Sequence, residues 1–481
     1  MKKRILIAMF ALSLAPLAHA DAPAAAAAAA ADAPVQNADG RATLDQRVDA
    51  LEKDLAALSA QGGAPVSIYA DPVRGLRFAN ADGTYGIQFS GLLQEDSRTY
   101  LYDGVDNEKG LVTQQPNEFV NARSRLIIDA FLGPRVKARY QEDFSNNGNG
   151  AILLDAYGEL KLASWALLRA GQFKDPLDIE RWRITPALDF IQYGYTAGLV
   201  VDRSQGALLE IADSRQVFYL SGGAVDGDTD AGSTPVVQAY NSDKDAVAKL
   251  FLQPLRALDG QTLGNLGLGV AGSAGNHSGD PEQSYKSEGQ LTIVSLGGGN
   301  AAASAVEGAS YRVIPQAYWY WKGLSLLGEY VHESQGFRLA TTRQNEIADN
   351  EAWQAQAGWV LTGENAGYDG LKLNKDSGSW GALQLVARVQ GAEYNEGAYS
   401  AYGPTGSVLS KGLADPETSV ESLKSWSAGI NYVPVSGVKL LADLDQTSFT
   451  GGGAILSSAG KVVLSNRPAE QILQVRAQFS F

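Results

Sequence analysis

The residues best placed to do chemistry are bases spaced two apart. Arg123 and Arg125, then Lys137 and Arg139, then Lys161 fall on one face of alternating segments, and Arg169 follows on a face it shares with Trp165 and Leu167. A guanidinium offers a planar fork that matches phosphate oxygens, and an ammonium offers a compact charge. Aligned along the wall of a water-filled lumen, such groups would replace part of an anion's hydration shell and form an anion path. The same stretch carries Asp129, Asp143, Asp155 and Glu159. The competing reading is a wall of mixed charge that only solvates the lumen.

Covalent chemistry has little material. There is no cysteine, so disulfides, thiol nucleophiles and thiolate metal sites are excluded, and the three histidines are His19, His277 and His332. No residue set calls for a metal or another cofactor. His332 is followed by Glu333 and Ser334. Successive residues of a strand point to opposite faces, so Glu333 could not orient His332 toward a serine.

The elements that would position the bases have a period of two. Val120, Ala122, Ser124, Leu126, Ile128 and Ala130 oppose Asn121, Arg123, Arg125 and Asp129. Val136, Ala138 and Tyr140 oppose Lys137, Arg139 and Gln141 after a turn at Gly133-Pro134. Trp353, Ala355, Ala357, Trp359 and Leu361 oppose Gln354 and Gln356, and the chain closes with Leu473, Val475, Ala477, Phe479 and Phe481 against Gln474, Arg476 and Gln478. The cluster Tyr318, Trp319, Tyr320 and Trp321 reads as part of an interfacial aromatic belt. About 16 such segments recur from residue 85 onward, which predicts an all-β transmembrane antiparallel barrel over 85–481 with an open lumen. The polar stretches Asp226 to Asp245 and Gly363 to Gly378 read as extracellular loops, and Gly133-Pro134 as a periplasmic turn.

From Lys174 to Leu199 alternation lapses, with Pro176, Pro186, Arg181, Trp182 and Arg183 among apolar residues such as Leu177, Ile179 and Phe190. A loop of that length and composition is expected to fold inward, with Arg181 and Arg183 at a constriction.

The first 20 residues, with Lys2, Lys3 and Arg4, an apolar run and Ala18-His19-Ala20, read as a secretory signal peptide. Its removal lowers the formal charge from −14 to −17, a balance that excludes nucleic acid as a partner. Residues 21–42 read as an Ala-rich linker. Over 43–61, Leu44, Val48, Leu51, Leu55 and Leu58 mark the a/d seam of a coiled-coil helix, which self-association, as a homotrimer, would bury.

Leu154-Asp155-Ala156-Tyr157 and Arg169-Ala170-Gly171-Gln172-Phe173-Lys174-Asp175-Pro176 resemble the characteristic stretch of the phosphate-selective porin O and P family. The run Ala352 to Glu364 and the run Gly381 to Arg388 resemble two further motifs. The resemblance spans roughly 85–481 and implies a trimeric barrel of about 16 strands in outer-membrane lipid, passing phosphate or polyphosphate, with Lys174 and Asp155 in the lumen. Residues 205–225 supply only Arg215 where further arginines would be expected, and the chain is acidic. A general porin of weak or cationic selectivity is therefore the second reading.

Overall fold

The computed structural model describes residues 49, 53 and 66–481, apart from 72–73, 103–104, 107–111, 114, 146–149, 227–241, 257–261, 281–283, 297–303, 340–344, 372, 374–379, 396–400, 403–407, 411 and 457–461. The signal peptide, linker and coiled-coil readings lie outside these residues except at Asp49 and Lys53, which are helical. So does most of Asp226 to Asp245. The unit Val66–Phe481 is described by itself.

Its strands are β1 (Tyr85–Tyr102), β2 (Glu118–Leu132), β3 (Val136–Asp143), β4 (Ile152–Ala163), β5 (Ala166–Lys174) and β6 (Arg203–Ala212). There follow β7 (Phe218–Asp226), β8 (Lys244–Leu252), β9 (Leu266–Asp280), β10 (Ser304–Trp321) and β11 (Leu324–Leu339). The last are β12 (Asn345–Val360), β13 (Ala382–Glu393), β14 (Val420–Val435), β15 (Val438–Leu456) and β16 (Glu470–Ser480). Each pairs antiparallel with the next, and β16 pairs with β1 from Gln471↔Tyr102 to Ser480↔Leu92, closing a 16-strand barrel. Closure leaves no free edge, as lipid requires of any backbone that crosses it.

The seam is tight at its end. Gly91 and Phe481 exchange backbone hydrogen bonds of 2.8 and 3.2 Å. A Cβ on Gly91 would lie 2.5 Å from the Phe481 ring, which would have to move to admit a side chain there.

Alternation sorts the side chains. Trp353, Trp359, Leu385, Val389, Val475 and Phe479 are exposed on the outer face, whereas Gln354, Gln356, Gln384, Arg388, Gln474 and Arg476 are buried inside. The aromatic cluster of β10 divides for the same reason. Trp319 and Trp321 stack with planes 4° apart, while Tyr318 and Tyr320 are buried on the inner face with Ile179 and Leu327. Only half of that cluster can serve a belt.

One rim carries short turns, at residues 133–135, 164–165, 213–217, 322–323 and 436–437. The 361–381 connection between β12 and β13 lies on this same rim, because every connection from an even to an odd strand does. It is therefore not on the rim of the long loops, where the polarity of Gly363 to Gly378 alone would place it. Its residues Asp369 and Leu371 line a cavity together with Gly437 and Phe481.

Candidate functional site

The segment 175–202, between β5 and β6, lies inside the barrel. It contains a short helix α1 (Ile179–Trp182) capped by Asp178, whose side chain accepts from Arg181 N at 2.7 Å. A backbone withdrawn from water must find partners, and this one finds them on the far wall. Gln316 donates to Leu177 O (2.7 Å), Arg312 to Leu199 O (2.8 Å) and Arg476 to Ile191 O (2.8 Å). Glu329 accepts from Ile179 N, Gln390 from Tyr195 N and Asp443 from Ile191 N. A second segment, 284–296 between β9 and β10, enters from the same rim and meets it, where Gln290 donates to Gln192. Glu470 accepts from Ser287 and Gly289 N, and Arg388 donates to Glu288 at 2.9 Å. Leu177, Tyr195, Leu199, Tyr285, Ile293 and Val294 fill the space between with an apolar core.

That packing leaves open space to one side, against β1 to β6 and the short-turn ends of β14 to β16. A cavity of about 740 Å³ is lined there by Arg74, Arg125, Arg139, Arg169, Lys174, Arg183, Arg203 and Lys439, against Asp129, Asp155, Asp189 and Asp369. The four carboxylates singled out from the sequence are all paired. Asp143 holds Arg125 (2.7 Å), Asp129 holds Arg139 (2.8 Å) and Lys137 (3.3 Å), Glu159 holds Arg169 (2.9 Å), and Asp155 holds Arg203 (2.8 Å). Glu210 meets Arg169 from β6 at 2.9 Å.

Of the inward bases of β2 and β5, Arg123 and Lys174 have no carboxylate within 4 Å among the described residues. Arg123 donates to Gln94 at 2.7 Å and lies 5.4 Å from the Tyr193 ring, and Lys174 donates to Arg181 O (2.6 Å) and Arg183 O (3.2 Å). Burial would push the Tyr193 phenol up, but Lys174 and Arg123 draw it down to about 8. Burial likewise opposes ionisation of Asp202, yet Arg203, Arg181 and Lys174 hold its carboxyl well below the usual range. Both shifts run in the direction that neighbouring positive charges impose, although the whole chain is acidic. Much of the inner acidity lies elsewhere: Glu288, Glu333, Asp443, Asp445 and Glu470 are buried between the inward segments and the far wall.

The bases singled out from sequence thus separate. Arg125, Arg139, Arg169, Lys174 and Arg183 line the cavity, and Arg123 stands one step along β2 from Arg125. Lys137 is tied to Asp129 near the turn, and Lys161 is exposed at the turn end of β4, outside the cavity lining. Arg181 is engaged in holding the loop, donating twice to Ala197 O (3.0 and 2.7 Å) and pairing with Asp202. Arg183 reaches Ala187 O, Tyr368 O and Asp189. Sequence reasoning missed Arg203, which opens β6 just before the stretch searched for arginines, and also Arg74, Lys439 and Tyr193. For Arg203 the signal was present, since its alternation with Gln205 continues the inward face of β6; the other three depend on which distant segments meet. His332 faces outward beside Tyr311 and Glu351, whereas Glu333 is fully buried inside.

A family profile described as phosphate-selective porin O and P matches residues 102–481. Among solved structures, the outer membrane channel DcaP of Acinetobacter baumannii is similar at 14% identity and a TM-score of 0.50, covering 84% of this chain and 99% of that one. OmpT of Vibrio cholerae in its trimer form is similar at 10% identity and a TM-score of 0.48, covering 82% and 99%. OprB of Pseudomonas putida is similar at 10% identity and a TM-score of 0.46, covering 82% and 94%. No curated protein matches the chain in sequence.

Proposed function

This chain belongs to the phosphate-selective porin O and P family, and from that premise we propose that its channel passes small anions, phosphate or polyphosphate foremost. It is an outer-membrane porin, a 16-strand barrel whose lumen is open to one side of an inward loop. The observation that carries the anion reading is the convergence of Arg125, Arg139, Arg169, Lys174 and Arg203 on one cavity, with Lys174 and Arg123 unmatched by carboxylates. Successive inward positions along a strand are about 6.6 Å apart. An anion leaving the Arg123 level therefore meets Arg125 within one step, and Arg203 and Arg139 follow toward the short-turn rim. Paired guanidinium groups keep unused donors, so each pair still attracts an anion while its carboxylate weakens the hold, which favours passage over trapping.

A coiled-coil trimer assembled through the 43–61 seam and exported by the 1–20 signal completes the reading. The second reading, a general porin of weak or cationic preference, is motivated by the −17 charge. Reversal potentials in a potassium chloride gradient decide between them. A chloride-selective current that phosphate reduces supports the first, and a cation-selective current indifferent to phosphate supports the second.

A further inference from the structure

A second, smaller cavity of about 240 Å³ opens beside the main one, separated from it by Trp182, which lines both. Its walls are Trp182, Tyr219, Phe251, Tyr318 and Tyr368, and its one cation is Lys249. The Phe251 and Tyr318 rings stack with centroids 5.0 Å apart, and Tyr368 lies 5.2 Å from Tyr318. Lys249 is 3% exposed. Its ammonium lies 5.8 Å from the Trp182 ring and 5.9 Å from the Phe251 ring, and no hydrogen-bond or ion-pair partner reaches it among the described residues.

A buried ammonium without a partner is costly, and here the missing partner has a shape prescribed by its surroundings. We propose that this cavity binds a small aromatic carboxylate, its carboxylate on Lys249 and its ring between Trp182 and the Phe251–Tyr318 stack. The nearest acids do not fill that role. Glu329 and Asp178 attract Lys249, but neither forms an ion pair with it or lines the cavity; one Asp178 oxygen caps α1, and Glu329 accepts from Ile179 N and Thr196. A bare phosphate would find one charged donor and a ring of π-faces in place of a fork of charged donors. A cationic ligand would meet Lys249. A sugar would find few free hydrogen-bonding groups, because Gln253 is already joined to Tyr318 and Arg256, which leaves Gln216 and the Tyr219 hydroxyl. A ring with one carboxylate matches both the charge and the faces. This site goes beyond the inorganic-anion reading and uses none of the bases assigned to the main passage.

The test is equilibrium dialysis of labelled benzoate against the purified full-length protein, with acetate as competitor, in wild type, Lys249→Gln and Phe251→Leu. Saturable benzoate binding is expected, unaffected by acetate at equal concentration and weakened about tenfold or more in both variants, the loss of one charge-assisted bond or one stacking face. Chloride conductance of Lys249→Gln is expected to match wild type, which shows the barrel intact. Benzoate that acetate displaces as an equal, or that binds Lys249→Gln as tightly as wild type, overturns the site. So does binding lost in Arg125→Ala and kept in Lys249→Gln, which would place benzoate in the main passage. Loss of chloride selectivity with benzoate binding retained would count against the anion reading of the main passage and leave this site standing.

Discussion

Replacing Lys174 by methionine removes a positive charge from the passage while keeping most of the side chain's length. Its ammonium has no carboxylate partner within 4 Å among the described residues and lines the main cavity. For an anion about 5 Å away, the attraction is about 0.8 kcal/mol at the dielectric constant of water and about 3 kcal/mol at an effective value of about 20. The passage is wet but walled by protein, so a loss of about 1 to 1.4 kcal/mol is expected, or about five- to tenfold in affinity. The loop does not hang on this residue. Arg181 holds Ala197 O, Arg183 holds Ala187 O, and Arg125 holds Thr185. The assay is phosphate block of chloride current in planar bilayers at about 0.1 M salt, where the screening length is about 10 Å, repeated at about 1 M, where it falls to about 3 Å. Lys174→Met should raise the half-blocking phosphate concentration about five- to tenfold at low salt, much less at high salt, with open conductance unchanged at high salt. A shift under about twofold at low salt with conductance unaltered would refute the electrostatic reasoning.

Three further outcomes follow from the same geometry. Because Tyr193 titrates at about 8, a phenolate forms beside Arg123 and Lys174 as pH rises through 8; chloride over potassium selectivity should fall there in wild type and stay level in Tyr193→Phe. Arg476 closes the β16–β1 seam on Asp96 with bonds of 2.6 and 2.7 Å; Arg476→Ala leaves a buried carboxylate unpaired, costs about 3–5 kcal/mol, and should lower the temperature at which the folded band is lost in detergent electrophoresis. A Cβ at Gly194 would come within 2.2 Å of Gln354 Oε1; Gly194→Val should cost about 1–3 kcal/mol by pushing the loop from the far wall, and is read as altered single-channel conductance.

The barrel was legible because its period of two is local. Leu385 and Val389 against Gln384 and Arg388 announce their faces without reference to anything distant. The Tyr318 to Trp321 cluster shows the cost of setting that period aside, since composition suggested a belt and alternation sends two of its four rings inward. Strand parity likewise overrides polarity for 361–381. The site was legible only as faces. Sequence places Arg123, Arg125 and Arg139 on the inner wall, but their partners are set by register and by loop docking. Arg183 meets Tyr368, 185 residues away, and Arg476 meets Ile191, 285 residues away. No local pattern encodes such meetings, and Arg74, Tyr193 and Lys439 entered the site through them, whereas Arg203 was readable from its alternation with Gln205.

An anion channel requires the open side of the lumen to be electropositive in this otherwise acidic chain. The most direct measurement is the reversal potential of the wild-type channel in a tenfold potassium chloride gradient, with and without phosphate. A potential of the sign set by chloride, with a current that phosphate reduces, is expected. A potential of the sign set by potassium, with a current indifferent to phosphate, would contradict the anion reading.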